Sequence, residues 1–167
     1  MADNHHNEWT SLLSTIEVAK LEKALEDDPE NLDAHDELLP HYMMEALVSD
    51  DYVPLHLKHL AWLIENHAES EILRTPSCRI KFTADRTICK TVAALWMQQA
   101  AKYPNNPAVL GNAAFNLMTP INSRSHWAQA RKWQLKAEKL EPHKAEWKSL
   151  LGTYHRHLSW GKRDDKA

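Results

Sequence analysis

Residues 104–118 read Pro-Asn-Asn-Pro-Ala-Val-Leu-Gly-Asn-Ala-Ala-Phe-Asn-Leu-Met, and this stretch decides the fold. Asn106 is suited to cap a helix, because its side-chain oxygen can accept hydrogen bonds from the free backbone N–H groups of the first turn. Pro107 fits the first helical position, where its missing N–H is not needed. Pro104 ends the helix that comes before. The pattern therefore predicts two helices joined by a short turn, the second reaching about Met118.

This junction of helix, proline and helix recurs along the chain. Pro29 and Pro142 follow alanine-containing helices in the same way, and the stretch that ends at Ala68 has the same form without a proline. The intervals are 39 residues from Pro29 to Ala68, 36 from Ala68 to Pro104 and 38 from Pro104 to Pro142. A period somewhat above ~34 residues, made of paired helices, is typical of a helical solenoid.

Apolar residues recur nearly everywhere with the spacing of a helix. Ser14 and Glu17 fit a capping box at the start of the first helix, and Pro40 falls inside the second helix, where we expect a kink. Residues 72–83 contain Pro76 and have no helical period, so they are predicted to form a long irregular loop with one short turn. Seven helices are predicted. They run from about Ser14 to Asp27, from Asn31 to Val48, from Asp50 or Asp51 to the Ala68 junction, from Ala84 to Lys102, from Asn106 to Met118, from Ser125 to Leu140 and from His143 to Trp160.

Small residues at fixed distances carry a family resemblance. Ala130, Ala137 and Pro142 are spaced as in the second helix of a repeat, and Leu151-Gly152 follow at the expected distance. From Ser14 to Trp160 the chain therefore resembles the tetratricopeptide (TPR) family. The resemblance implies an all-α fold of about seven helices in antiparallel pairs, forming a short right-handed α-solenoid. Residues 60–69 and 94–114 are also similar to bacterial TPR-like proteins of unassigned function.

The composition favours one helical domain. The chain has 167 residues, of which 43% are hydrophobic, and its 3 glycines are few for a fold rich in sheets or loops. We expect a polar segment at 1–13, a single TPR-like domain at 14–160 and a charged tail at 161–167. The first residues do not resemble a signal peptide, and no run approaches the ~18 apolar residues of a membrane span. A cytoplasmic location without membrane contact is the expectation.

The resemblance also implies a binding function, because the first helices of such repeats line a concave groove. In the fifth helix the candidates for this groove are Asn112, Phe115, Asn116 and Met118. The two asparagines are four residues apart and share a helix face, from which their amides could hold an extended peptide backbone. The alternative is that they simply point to water. We expect a non-enzymatic protein- or peptide-binding scaffold that needs no cofactor.

Charge is distributed very unevenly along the chain. Residues 1–71 contain 17 Asp and Glu against 3 Lys and Arg, a net charge of -14, whereas residues 72–167 contain 6 against 17, a net charge of +11. Opposite fields of this kind speed and orient association. We expect the acidic half of one copy to meet the basic half of another, or of an oppositely charged partner.

Nucleic-acid binding by the basic half is the alternative function. Trp127, Trp133 and Trp147 lie among the basic residues and could stack on bases. Against this, tryptophans that share a helical stripe with alanines are typical of a core. The basic candidates are Arg124, Arg131, Lys132, Lys136, Lys139, Lys144 and Lys148.

An enzyme with a site near residues 72–83 is the second alternative, because Cys78 lies in that irregular segment. No catalytic signature surrounds Cys78 or Cys89, so two inert thiols are the simpler interpretation. Among the 11 histidines, His56 and His59 share a helix face but bring no third ligand at motif spacing. We therefore expect neither a catalytic residue nor a bound metal.

Overall fold

The computed structural model describes residues 12–80, 86–118, 124–145 and 147, and the regular structure within these ranges is all helical. The predicted all-α class is confirmed. Most of the predicted seventh helix, the tail 161–167 and residues 1–11 lie outside the described residues. The α-helices of the described part are α1 Thr15–Asp27, α2 Leu32–Val48, α3 Val53–Asn66, α4 Arg86–Lys102, α5 Pro107–Leu117 and α6 Arg124–Leu140.

Local caps set the starts of these helices. The Ser14 backbone N–H donates to Glu17 Oε2 at 2.7 Å and the Glu17 N–H donates to Ser14 Oγ at 3.3 Å, which confirms the capping box. Asn106 Oδ1 accepts from the N–H groups of Ala108 and Val109 at 3.0 and 3.2 Å. Each bond satisfies a backbone donor that has no partner within the helix, so the predicted starts agree closely with the observed ones.

The chain divides into two compact units, Met1–His59 and Leu60–Ala167. In the first unit, α1 packs against α2 around the buried side chains of Leu25, Leu38 and Tyr42. Pro40 lies inside α2, which continues beyond it to Val48. Packing of the apolar face of α2 outweighs the loss of one backbone hydrogen bond at the proline. The prediction of one domain over 14–160 stays a prediction.

The second unit is built around α5, which is buried along most of its length. A Cβ atom added to Gly111 would overlap the ring of Trp147, which is fully buried against it. Glycine at 111 thus allows the close approach of the indole to the helix. Trp147 shares its hydrophobic cluster with Leu110 and with Ala137, one of the small residues singled out by the repeat pattern.

The irregular segment forms two short 3₁₀ turns rather than one, at Glu71–Arg74 and Pro76–Cys78. Ser70 caps the first turn by accepting from the Ile72 N–H at 3.3 Å. The Cys78 thiol is buried and donates to the Ile72 carbonyl at 3.1 Å. The part of the predicted loop beyond residue 80 lies outside the described residues.

Candidate functional site

The predicted groove asparagines contact the protein's own backbone. Asn112 is fully buried, and its Nδ2 donates to the carbonyls of Ala68 and Ser70, both at 2.8 Å. Asn116 Nδ2 donates to the Leu73 carbonyl at 2.9 Å. The amides thus hydrogen-bond to the backbone of residues 68–73 of the same chain, and their contact with a bound peptide stays a prediction. Neither asparagine points to water.

The other two groove candidates are also largely enclosed. Met118 is buried, with 4% of its surface exposed. Phe115 is half-buried against the Trp147 cluster, and the Arg79 guanidinium lies 5.2 Å from the centre of its ring. The peptide-binding role of the four residues is untested, although the arrangement within the described residues gives them an evident role in packing.

The basic candidates on α6 form an exposed surface, whereas the tryptophans among them do not. Trp147 is fully buried, so its ring is not accessible to a base, whereas Trp133, which packs against the same cluster, and Trp127 are partly buried. Lys144 is half-buried, with Nζ 5.1 Å from the Trp147 ring and 3.8 Å from Glu71 Oε1. The side chains of Arg124 and Lys148 lie outside the described residues. The exposed basic candidates are Arg131, Lys132, Lys136 and Lys139.

Both thiols are buried, which limits their access to a substrate. Cys78 is only 1% exposed and contacts its own turn through Ile72. His56 and His59 are also buried. Among the described residues, no group of three or more His, Cys, Asp or Glu side chains is placed to hold a metal ion.

A buried polar network in the first unit joins side chains that lie far apart in the sequence. His35 Nδ1 lies 2.9 Å from His59 Nδ1, and His35 Nε2 lies 3.1 Å from the Pro29 carbonyl oxygen. The Tyr42 hydroxyl donates to Glu22 Oε1 at 2.8 Å, and the Tyr42 ring stacks on His59 with 5.4 Å between centres. The available signal was helical spacing, which places His35 on the apolar face of α2 with Leu38 and Tyr42.

The Pro29 carbonyl determines the direction of hydrogen bonding through this network. A carbonyl only accepts, so Nε2 of His35 carries the proton, and Nδ1 of neutral His35 accepts from Nδ1 of His59. Nε2 of neutral His59 then has a lone pair but, in the described part of the chain, no hydrogen-bond partner. It lies 3.5 Å from Glu22 Oε1, which is also an acceptor. The network thus has room for one more proton, between His59 and Glu22.

Burial keeps His59 unprotonated at Nε2 at neutral pH. It lowers the pKa of His59 to about 4, with a further contribution from neighbouring His35, and this outweighs the opposing effect of the Glu22 carboxylate. Burial also lowers the pKa of His35. At Glu22 burial acts upward, but the Tyr42 hydroxyl and the Lys58 ammonium outweigh it, so the pKa is lowered. The network therefore contains neutral imidazoles beside an ionised carboxylate.

The outward face of α2 combines acidic and apolar side chains. Asp33 and Glu37 are exposed near its start, and Met44, Leu47 and Val48 are 37%, 51% and 86% exposed near its end. At 100° per residue these five positions fall on one side of the helix, opposite the buried Leu38 and Tyr42. The core of this unit does not use this face, which is available to another molecule.

The two units differ in the sign of their charge. Met1–His59 contains 14 Asp and Glu against 3 Lys and Arg, a net charge of -11, and Leu60–Ala167 contains 9 against 17, a net charge of +8. The outward face of α2 belongs to the acidic unit, and the exposed lysines of α6 belong to the basic unit.

In comparisons with protein-family models, curated proteins and solved structures, nothing matches this chain. The TPR resemblance accordingly depends on the residue pattern alone. Within the described ranges, no helix is both long and apolar enough to cross a membrane.

Proposed function

We propose that this protein is a non-enzymatic helical module that binds a protein partner, and that its helix pairs form a TPR-like array. The observation that carries the proposal is the outward face of α2. Its acidic start and apolar end give it both kinds of group that a protein interface uses, charged side chains and exposed apolar surface. Val48, 86% exposed at the end of a well-packed helix, has no role in the core of its own unit.

The charge of the acidic unit supports a partner of opposite sign. Eleven net negative charges on Met1–His59 attract a basic surface over roughly 10 Å at an ionic strength of ~0.1 M. Such attraction increases the rate of encounter and orients the partner, while the apolar end of α2 supplies the buried area that keeps it bound. We also propose a cytoplasmic location, where the thiols of Cys78 and Cys89 would stay reduced.

Affinity capture from a lysate of the source organism tests this function. The bait proteins are the wild type, the variant Asp33→Lys/Glu37→Lys, and the control Glu26→Lys/Glu30→Lys. All four positions are exposed, and both double variants change the net charge equally. We expect one or more proteins to be retained by the wild type and the control and lost from the α2 variant. Identical sets of captured proteins on all three baits would contradict the proposal.

A further inference from the structure

The outward face of α6 exposes basic side chains, whereas the outward face of α2 exposes acidic ones. Lys132, Lys136 and Lys139 are exposed along α6, and Leu135, 40% exposed, lies among them. These positions fall on the side of the helix opposite to Ala130, Gln134 and Ala137, which are fully buried. The outward face of α6 is therefore basic with an apolar centre, whereas that of α2 is acidic with an apolar end.

The charges on the two faces have the same spacing. Asp33 and Glu37 are four residues apart on α2, and Lys132 and Lys136 are four residues apart on α6. Four residues rise about 6 Å along a helix, so two ion pairs can form at the same time between helices lying side by side. Because both faces also expose apolar side chains, contact between them would bury apolar surface as well as pair charges.

We propose that the outward face of α2 in one copy binds the outward face of α6 in a second copy of this chain. This inference rests on the proposed binding function and names its partner. The contact joins two different surfaces, so a bound pair still offers one free α6 face on the first copy and one free α2 face on the second. Association is therefore expected to continue into rings or open chains and to increase with protein concentration.

Sedimentation velocity with charge-reversed variants tests the inference. The acidic-face variant is Asp33→Lys/Glu37→Lys, and the basic-face variant is Lys132→Glu/Lys136→Glu. We expect the wild type to associate at an ionic strength of ~20 mM and to dissociate at ~500 mM. Each variant alone should remain monomeric at low salt, because its two faces now carry the same sign. An equimolar mixture should associate again, because the unchanged α6 face of the first variant matches the unchanged α2 face of the second, and the two reversed faces also match each other.

The controls separate the faces from net charge and from folding. Glu26→Lys/Glu30→Lys and Lys90→Glu/Lys102→Glu make the same charge changes at exposed positions outside the two faces, and both should associate like the wild type. Far-ultraviolet circular dichroism checks that every variant is helical. A wild type that stays monomeric at low salt, or a mixture of variants that stays monomeric, would overturn the inference. If the lysate capture still depends on the α2 face in that case, the proposed function stands with a different partner.

Discussion

Neutral His59 has one N–H group and lies between two acceptors, His35 Nδ1 and Glu22 Oε1. Its Nδ1–H is directed to His35, so its Nε2 faces Glu22 Oε1 at 3.5 Å without a hydrogen bond from any described residue. The cost of burying a charged imidazole exceeds the attraction of one carboxylate, and the network remains neutral at His59. Sequence spacing could place each histidine on a helix, but not join His35 to His59 across 24 residues. That contact depends on how α2 and the start of α3 pack.

The first prediction follows from the pKa of His59. This pKa is lowered from 6.5 to about 4 in the folded protein, so the unfolded chain binds the proton more readily. The contribution to stability is complete above pH 6.5 and is lost progressively down to about pH 4. The loss amounts to about 3 kcal/mol, and burial of His35 acts in the same direction. Urea unfolding between about pH 7 and 4.5 measures the slope.

The matched variant for this prediction is His59→Asn, which keeps a donor toward His35 but does not titrate. We expect a flatter dependence of the unfolding free energy on pH than in the wild type. His143→Asn, the same substitution at an exposed position outside the network, is the matched control. Parallel profiles for wild type and His59→Asn would show that burial of His59 does not set the acid sensitivity.

Gly111→Ala tests the close contact of α5 with Trp147. In an open helix this change would stabilise the protein by up to about 1 kcal/mol, because alanine is the better helix former. Here the added Cβ overlaps the indole ring, and overpacking of this kind costs about 1–3 kcal/mol. We therefore expect a lower melting temperature by calorimetry. A higher melting temperature would mean that Trp147 moves away at little cost.

At the scale of the element, segment 67–80 shows where sequence reasoning is insufficient. The starts of α1 and α5 were predictable because Ser14 and Asn106 act within three residues of themselves. The first 3₁₀ turn of the segment is held by Asn112 and Asn116, which donate to the carbonyls of Ala68, Ser70 and Leu73 from more than 40 residues away. The spacing of Asn112 and Asn116 indicates that they share a helix face, and the TPR resemblance implies a groove there, but neither shows what that face contacts.

Asn112→Asp tests this attachment of the segment to α5. The side chains have nearly the same shape, but an aspartate offers no N–H to the carbonyls of Ala68 and Ser70 and would bury a carboxyl group beside them. We expect a loss of about 3 kcal/mol in unfolding free energy. We also expect faster hydrogen exchange, first of all in Glu71–Cys78. Asn105→Asp is the exposed control, and equal exchange in both variants would argue against the attachment.

At the scale of the whole molecule, charge and packing have separate roles. The units Met1–His59 and Leu60–Ala167 each have their own buried cluster, and their opposite net charges lie on exposed side chains such as Glu37 and Lys136. The polarity was readable from the sequence because it depends only on composition. Which exposed residues share a face was not, because it depends on the burial of every helix. The repeat pattern singled out Ala137, which is buried in one cluster with Trp147, and the array itself is a proposal.

The most direct test of the central claim, protein binding through the outward face of α2, is site-specific photo-crosslinking in the source organism. A photoreactive phenylalanine analogue is placed at Met44, 37% exposed on that face, or at the control position Met97, 43% exposed on α4. The account predicts a discrete protein adduct from position 44 that is absent from position 97. No adduct at position 44, or the same adducts from both positions, would contradict it.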